Sequence, residues 1–564
     1  MKVVIIGGVA GGATCATRIR RLDENADIVI FERSGYVSYA NCGLPYYIGN
    51  IIKDKSELTL QTPKSFHKRF NIDVRVRHEV TAINKDEKTV TVHNLETGEI
   101  CKESYDKLVM SPGARPVKPD MPGIDSSRLF FLRTVEDTYK ISEFIKANSP
   151  ESAAIVGGGY IGLEMAENLS NMGIKVTLLQ RPGQLMSILD YDMSTVVHSK
   201  IRQNGIDLRL SSDVIGFEEE GDFINVKLKN TDKIKAKMVI FAIGVVPDST
   251  LAKSIGIETG IKDSIVVNDK METSVKDIYA VGDAVQIRHI VTGKEAVISL
   301  AGPANKQGRV AADNICGEDS HYNGSMGSSI LKVFDMTVAS TGLTEKAARL
   351  SGIDCDRVVL SPSSHAGYYP GARTMTMKVV FDRKTCRALG AQIIGYEGVD
   401  KRIDVMATAI SFGVAGDRLK ELDLAYAPPY SSAKDPVNMA GFMIENILKG
   451  KVKQFHWEEM EKIVKNKNAT LLDTRSAVEF SYGYVEGFIN IPVDHLRENI
   501  SRLDKSKPVY VMCQTGLRSY IACRILSQKG YDCYNFSGGY RFYESVSQEK
   551  YLSENSFPCG MDRN

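Results

Sequence analysis

The sequence predicts an α/β protein of several domains, and three observations carry that expectation. A short apolar strand runs into a glycine-rich turn and a helix at the N-terminus (MKVVIIGGVAGGATCATRIRRL). The same unit recurs at 152–181 (SAAIVGGGYIGLEMAENLSNMGIKVTLLQR), and after residue 447 the composition shifts before strands and helices alternate again. A chain of 564 residues exceeds a single core and suggests roughly three or four domains. Hydrophobic content of 43%, charged content of 25% and a net charge of +2 give no overall case for nucleic-acid or membrane binding. No apolar run approaches the ~18 residues of a membrane span, and the N-terminus lacks a signal-peptide pattern. Ten scattered cysteines form neither a disulfide framework nor a zinc motif. A cytoplasmic protein with reduced thiols and no metal is expected.

In the first unit Val3, Val4, Ile5 and Ile6 supply the strand. Gly7 permits the tight turn and Gly12 the close helix–strand packing that brings a pyrophosphate to the helix N-terminus. Val9 occupies the middle position of G-x-G-x-x-G, with Ala10 after it. The next strand, ADIVIFE, ends in Glu32, at the spacing of a carboxylate that grips ribose hydroxyls, and Arg33 follows. A distant stretch, ETSVKDIYAVGDAV (272–285), ends a short strand in Gly282-Asp283. It resembles the second flavin motif of flavoproteins with two dinucleotide domains, where the aspartate binds the ribityl chain of FAD.

The second unit has glycine at all three positions, Gly157, Gly159 and Gly162, with Tyr160 and Ile161 between the last two. Its insertion between the two FAD segments is the arrangement expected of a nicotinamide domain. Its second strand ends in Gln180-Arg181 instead of an acid. Without that carboxylate a 2′-phosphate is not repelled, so NADPH is acceptable beside NADH; Arg181 either binds the phosphate or faces solvent. AIGVVPD (242–248), containing Gly244, resembles the segment that closes such a domain.

SYANCGLP (38–45) then raises a chemical question, because Cys42 has no second cysteine near it before Cys101. A reactive thiolate is favoured by positive charge, helix N-termini and donors such as Asn41. With these pieces in order, residues 1 to about 447 resemble the pyridine nucleotide–disulfide oxidoreductase superfamily. Within it, GGVAGGATCATRIRRL and SYANCGLPYYIG are similar to coenzyme A-disulfide reductases and their persulfide-reductase relatives.

That resemblance implies a single redox cysteine, Cys42, lying beside the flavin and forming a mixed disulfide with coenzyme A. It also implies that Val80 and Ala301 join the FAD contacts. Thr14, Arg18, Arg21, Ser38 and Asn41 are implied in coenzyme A binding, with Asn305 and Lys434 supplied from elsewhere in the assembly. Lys68 and Arg69 of HKRF (67–70) offer further cations, although these basic residues equally suit a solvated helix face and a surface loop. A homodimer is implied, with Tyr368 of SHAGYYPGA (364–372) and Tyr426 of LAYAPPYSSAKDP (424–436) reaching the partner's active site. Their phenols would donate a proton or a hydrogen bond to the departing thiolate; Tyr369 and Tyr430 are rivals for that role.

At the C-terminus LLDTRSAVEF, GYVEGFINIPVDHL, VYVMCQTGLRSYIACRILSQKGY and FSGGY occur in an order that resembles a rhodanese domain. Residues 509–512 are expected as a strand, and CQTGLR as a loop turning into a helix near Ser519. Backbone N–H groups and Arg518 would stabilise a thiolate or persulfide on Cys513. The six-residue loop, 513–518, resembles sulfurtransferases; related phosphatases use a loop one residue longer. The other cysteines, Cys559 among them, are read as structural.

The expected domains are FAD-binding over 1–149 and 247–320, NAD(P)H-binding over 150–246, dimerisation over 321–447, a linker at 448–460, rhodanese over 461–550 and a tail over 551–564. The functional expectation is an FAD- and NAD(P)H-dependent reductase of coenzyme A persulfide, polysulfide or coenzyme A disulfide. Cys513 would exchange sulfur with sulfane-sulfur donors. One alternative is an NADH oxidase or peroxidase cycling a Cys42 sulfenate, although related peroxidases carry a histidine near the place of Ala10. The other is a redox-sensing persulfide carrier.

Overall fold

The computed structural model describes residues 1–230 and 232–555, and Cys559 lies outside them. It divides into two compact units, Met1–Gly183 with Gly205–Gly327, and Gln184–Asn204 with Ser328 onward.

The first unit is built on two five-stranded parallel sheets. One has the order Ile278–Ala280, Lys107–Met110, Lys2–Ile6, Asp27–Glu32 and Asp73–Val76. Its strands are nearly continuous runs of Val, Ile and Leu because helices cover both faces of such a sheet. Val3, Val4 and Ile5 are fully buried in its core. The helix Ala10–Leu22 follows the first strand directly. The second sheet repeats the plan with Asp207–Arg209, Lys175–Leu179, Ser152–Val156, Met238–Phe241 and Leu129–Phe130. Both sheets carry a glycine loop at the carboxyl end of a central strand, where the neighbouring strands diverge and a ligand has room.

The second unit contains an antiparallel sheet ordered Ser329–Val333, Met336–Gly342, Ala388–Gly395, Thr376–Asp382 and Cys355–Leu360. Lys378 sits in the middle of this sheet at 1% exposure. Its ammonium meets Asp192 at 2.8 Å, Glu345 at 3.1 Å and Asp190 at 3.2 Å. Asp192 comes from the helix Tyr191–Gln203. That helix, inside the stretch expected for the nicotinamide domain, packs in this unit instead.

A parallel sheet ordered Lys453–Phe455, Cys533–Phe536, Val509–Met512, Thr470–Asp473 and Ile489–Asn490 forms the C-terminal part. The expected linker at 448–460 is therefore corrected. Lys453–Phe455 is an edge strand of this sheet, and Phe455 is buried at 1% exposure. The strand's one lysine, Lys453, bonds Asp532 at 2.8 Å beside the paired strand. The helix Gly539–Asn555 likewise extends through the start of the expected tail. Gln454 Nε2 donates to the Arg357 carbonyl at 2.7 Å, and Val359 N–H donates to Ser537 Oγ at 3.1 Å, so the two sheets of this unit are bonded together.

Candidate active site

Both glycine loops satisfy the sterics of a pyrophosphate cradle. Gly7 has φ +93°, and a Cβ there would lie 2.1 Å from the Ser111 carbonyl oxygen. A Cβ on Gly12 would lie 2.0 Å from the Gly7 oxygen. In the second loop a Cβ on Gly162 would meet the Gly157 oxygen at 1.8 Å, whereas one on Gly159 would meet nothing within 4 Å. The empty side of Gly159 is where a phosphate could approach the backbone. Gly244 has φ +119° and is similarly open. Tyr160 and Ile161 open the helix Tyr160–Asn171 behind this loop.

The strand ends differ by one charge. Gly8 N–H donates to Glu32 Oε2 at 2.9 Å, and Gly158 N–H donates to Gln180 Oε1 at the same distance. The amide thus occupies the carboxylate's structural place without its repulsion of phosphate, and Arg181 beside it is exposed. These features fit FAD in the first loop and a nicotinamide dinucleotide in the second.

A cavity of about 1240 Å³ opens from the first loop. Gly7, Val9, Ala10, Glu32, Arg33, Val80, Asp283 and Ala301 line it, and so do Thr14, Ser38, Asn41, Cys42 and Asn305. Cys42 lies in the turn Asn41–Gly43 and is exposed at the wall. Its loop is pinned by Ser38 N–H to the Gly8 carbonyl at 2.8 Å and Ala40 N–H to the Leu58 carbonyl at 2.8 Å. Partial desolvation pushes the Cys42 thiol up; Glu164 and Asp283 add to the rise, and Arg133 opposes it. Arg133 Nη2 also bonds Asp283 Oδ2 at 2.9 Å.

Burial raises the Glu164 carboxyl to about 7, against a hydrogen bond from Tyr46 Oη at 3.3 Å. Its folded value lies above the ordinary 4.5, so ionisation costs stability as pH climbs through that window. Glu164→Gln should flatten that slope and lower the pH at which Cys42 reaches half-maximal alkylation by iodoacetamide. An unchanged alkylation profile would show that Glu164 has no hold on the thiol.

Other expected ligands are placed differently. Arg18 is held by Asp313 at 2.6 Å and Glu318 at 3.5 Å, so its charge is already matched. Arg21, Lys68 and Arg69 are exposed outside the cavity lining. Asn305, expected from elsewhere in the assembly, accepts a 2.6 Å bond from Thr14 Oγ1 of the same chain. In the second unit Lys434 is exposed, and Tyr368 and Tyr426 join hydroxyls at 2.7 Å. Both phenols are exposed, at 76% and 46%. Of the rivals, Tyr369 instead packs edge-on to His365, and Tyr430 is exposed.

The Cys513 loop is also assembled within the second unit. Cys513 is buried at the end of the strand Val509–Met512, and the helix begins at Leu517 instead of Ser519. Gly516 N–H reaches the sulfur at 3.1 Å and Ser519 Oγ at 3.3 Å. Arg518 turns to Glu479, placing two 2.6 Å bonds on its carboxylate.

Residues 1–308 match the family model described as pyridine nucleotide-disulphide oxidoreductase. The chain belongs to that family. It is an oxidoreductase of the FAD- and pyridine nucleotide-dependent kind, and residues 328–436 match the family's dimerisation domain. Residues 456–545 match a rhodanese-like domain. The chain is 40% identical to a coenzyme A disulfide reductase of Staphylococcus aureus (strain JH9) over 443 residues, 78% of this chain and 99% of the relative. The structure of reduced Bacillus anthracis CoADR-RHD is similar at a TM-score of 0.95 and 46% identity, covering 97% of this chain and 98% of that one. An NAD-dependent persulfide reductase from A. fulgidus gives 0.91 and 36%, covering 96% and 100%.

Several residues of this oxidoreductase escape sequence reasoning. Ser519 follows the loop arginine directly in CQTGLRS, and its place in the first turn of the helix after the Cys513 loop is the available signal. Glu479 is visible as the last residue of an S-x-x-E capping box, RSAVE, which the structure forms. Arg133 and Tyr46 have no comparable local signal. Among the described residues no helix is long and apolar enough to cross a membrane, and no acid, His or Cys cluster is placed to hold a metal.

Proposed function

We propose that the protein reduces coenzyme A persulfide, polysulfide or coenzyme A disulfide at the expense of NADH or NADPH. Cys42 serves as its sulfur nucleophile and Cys513 as a persulfide carrier. The observation that carries this reading is Cys42 on the wall of the cavity that the first glycine loop lines, with no second cysteine in that lining. A lone cysteine that forms a disulfide takes its second sulfur from the substrate. The likeness to coenzyme A disulfide reductases and to a persulfide reductase supports both substrate classes.

The Cys42 thiolate attacks the inner sulfur of R–S–SH, forming Cys42–S–S–R and releasing hydrosulfide; with R–S–S–R the leaving group is the thiolate. FAD, which Gly7, Glu32 and Asp283 would hold in the cavity, would supply two-electron reduction drawn from NAD(P)H, by which the mixed disulfide is returned to a Cys42 thiolate and RS⁻. Persulfide turnover therefore consumes one NAD(P)H and one proton and yields thiol and hydrogen sulfide. Asn41 and Ser38 flank the nucleophile, and Thr14 and Asn305 bind the coenzyme A end. In a homodimer the hydroxyl pair of Tyr368 and Tyr426 delivers a proton to the leaving sulfur across the interface. At Cys513, sulfane sulfur is taken from a donor and passed to coenzyme A.

Steady-state kinetics with each nicotinamide against the three acceptors tests this. The expected result is the highest kcat/KM with coenzyme A persulfide or polysulfide. Preferred turnover with oxygen or peroxide would replace the reading by an oxidase or peroxidase.

A further inference from the structure

We infer that the Cys513 loop takes its sulfur from a small organic persulfide or polysulfide in preference to the thiosulfate dianion. This rests on the reading of Cys513 as a persulfide carrier. Two closed guanidinium–carboxylate pairs stand beside the loop, and Arg541, whose backbone N–H donates to the Gln514 carbonyl at 3.2 Å, turns its side chain to solvent. Arg518 places both terminal nitrogens on Glu479, each at 2.6 Å. Arg475 places Nε and Nη2 on Asp473 Oδ2 at 2.9 and 2.8 Å, and both residues of that pair are buried.

Glu479 also accepts Ser476 N–H and Oγ–H, each at 2.9 Å. With Arg518 as the main cause, its carboxyl is held down to about 2, so the pair stays ionised at neutral pH. The two pairs sum to no net charge. Within this group of residues, what remains positive at Cys513 is the Gly516 N–H, the Ser519 hydroxyl and the N-terminal end of the helix Leu517–Gln528. A helix end contributes roughly half an elementary charge, enough to favour one sulfur anion. A dianion would have to shed its water beside arginines whose charges are already matched.

The surface beside the pair also suits a carbon skeleton. Val478 and Leu517, which precede Glu479 and Arg518 in the chain, are exposed at 63% and 59%. Phe480, the residue after Glu479, stacks on Tyr484 at 4.7 Å. Thiosulfate has no apolar part to place there.

The transfer balances without an oxidant. The Cys513 thiolate attacks the outer sulfur of R–S–SH and the donor S–S bond breaks. The departing thiolate keeps the persulfide proton as R–SH, and Cys513–S–S⁻ remains. Attack of an acceptor thiolate on that outer sulfur restores Cys513.

The test measures sulfur transfer to cyanide by the full chain, with cysteine persulfide and with thiosulfate, above the rate of a Cys513→Ala chain. The wild type should favour cysteine persulfide in kcat/KM by about tenfold or more. Glu479→Gln, which can keep the helix cap while freeing the Arg518 charge, should raise kcat/KM for thiosulfate by about tenfold. It should leave the persulfide value within about threefold. A wild type that prefers thiosulfate overturns the inference whether or not the variant folds, and a folded Glu479→Gln chain unchanged toward thiosulfate does so as well. Transfer from neither donor would instead remove the carrier role of Cys513.

Discussion

Cys42→Ser should abolish reduction of coenzyme A persulfide, polysulfide and coenzyme A disulfide together, with kcat falling by about a thousandfold or more. A serine hydroxyl is barely ionised at neutral pH and forms no disulfide, so the covalent step has no substitute. FAD should remain bound, because the contacts that shape its cradle are backbone approaches at Gly7 and Gly12, well separated in sequence from residue 42. The measurement is anaerobic NAD(P)H oxidation with each acceptor, alongside flavin absorbance per chain. Turnover within tenfold of the wild type would remove Cys42 from the mechanism. Loss of flavin would mean that the substitution reached beyond the sulfur.

Lys378→Met should be severely destabilising. It leaves Asp190, Asp192 and Glu345 buried without the ammonium that lies between them. Removing one partner of a buried ion cluster costs about 3–5 kcal/mol. Burial raises the carboxyls of Asp190 and Glu345, yet in the wild type the Lys378 charge and surrounding hydrogen bonds hold both below their ordinary values. That stability is present above the unfolded carboxyl range and is lost as pH falls through the folded values. Without Lys378 the burial effect dominates and the carboxyls rise, so the variant should regain part of its deficit as pH falls towards 5. Trp457 is the sole tryptophan, and its indole donates to Asp192 at 3.2 Å, so urea unfolding followed by its fluorescence reports on this region. A deficit below about 1 kcal/mol at neutral pH, or one that grows on acidification, would contradict the argument.

The parts of this molecule legible from sequence are those whose physics is local. Gly7, Gly12, Gly157 and Gly162 answer steric demands set within a few residues, and Cys42 and Cys513 stand in short strings with a turn on one side. The Lys378 cluster is illegible for the opposite reason. Its carboxylates come from positions 190, 192 and 345, and TMTMKVVFD shows only a strand with one lysine in it. Arg518 looks like a ligand of the sulfur because it ends the loop; its actual partner, Glu479, is brought to it by tertiary folding. The exposed hydroxyl pair of Tyr368 and Tyr426 joins segments 58 residues apart, which periodicity alone could not align.

The strand Lys453–Phe455 alters how the C-terminal part can be handled. It pairs in parallel with Cys533–Phe536, and among the described residues no other strand of the sheet lies on its far side. Cutting the chain at residue 460 would strip it away and leave a raw row of backbone donors and acceptors, the kind of margin along which foreign chains add themselves. A stretch that looks like a tether thus works as a hem.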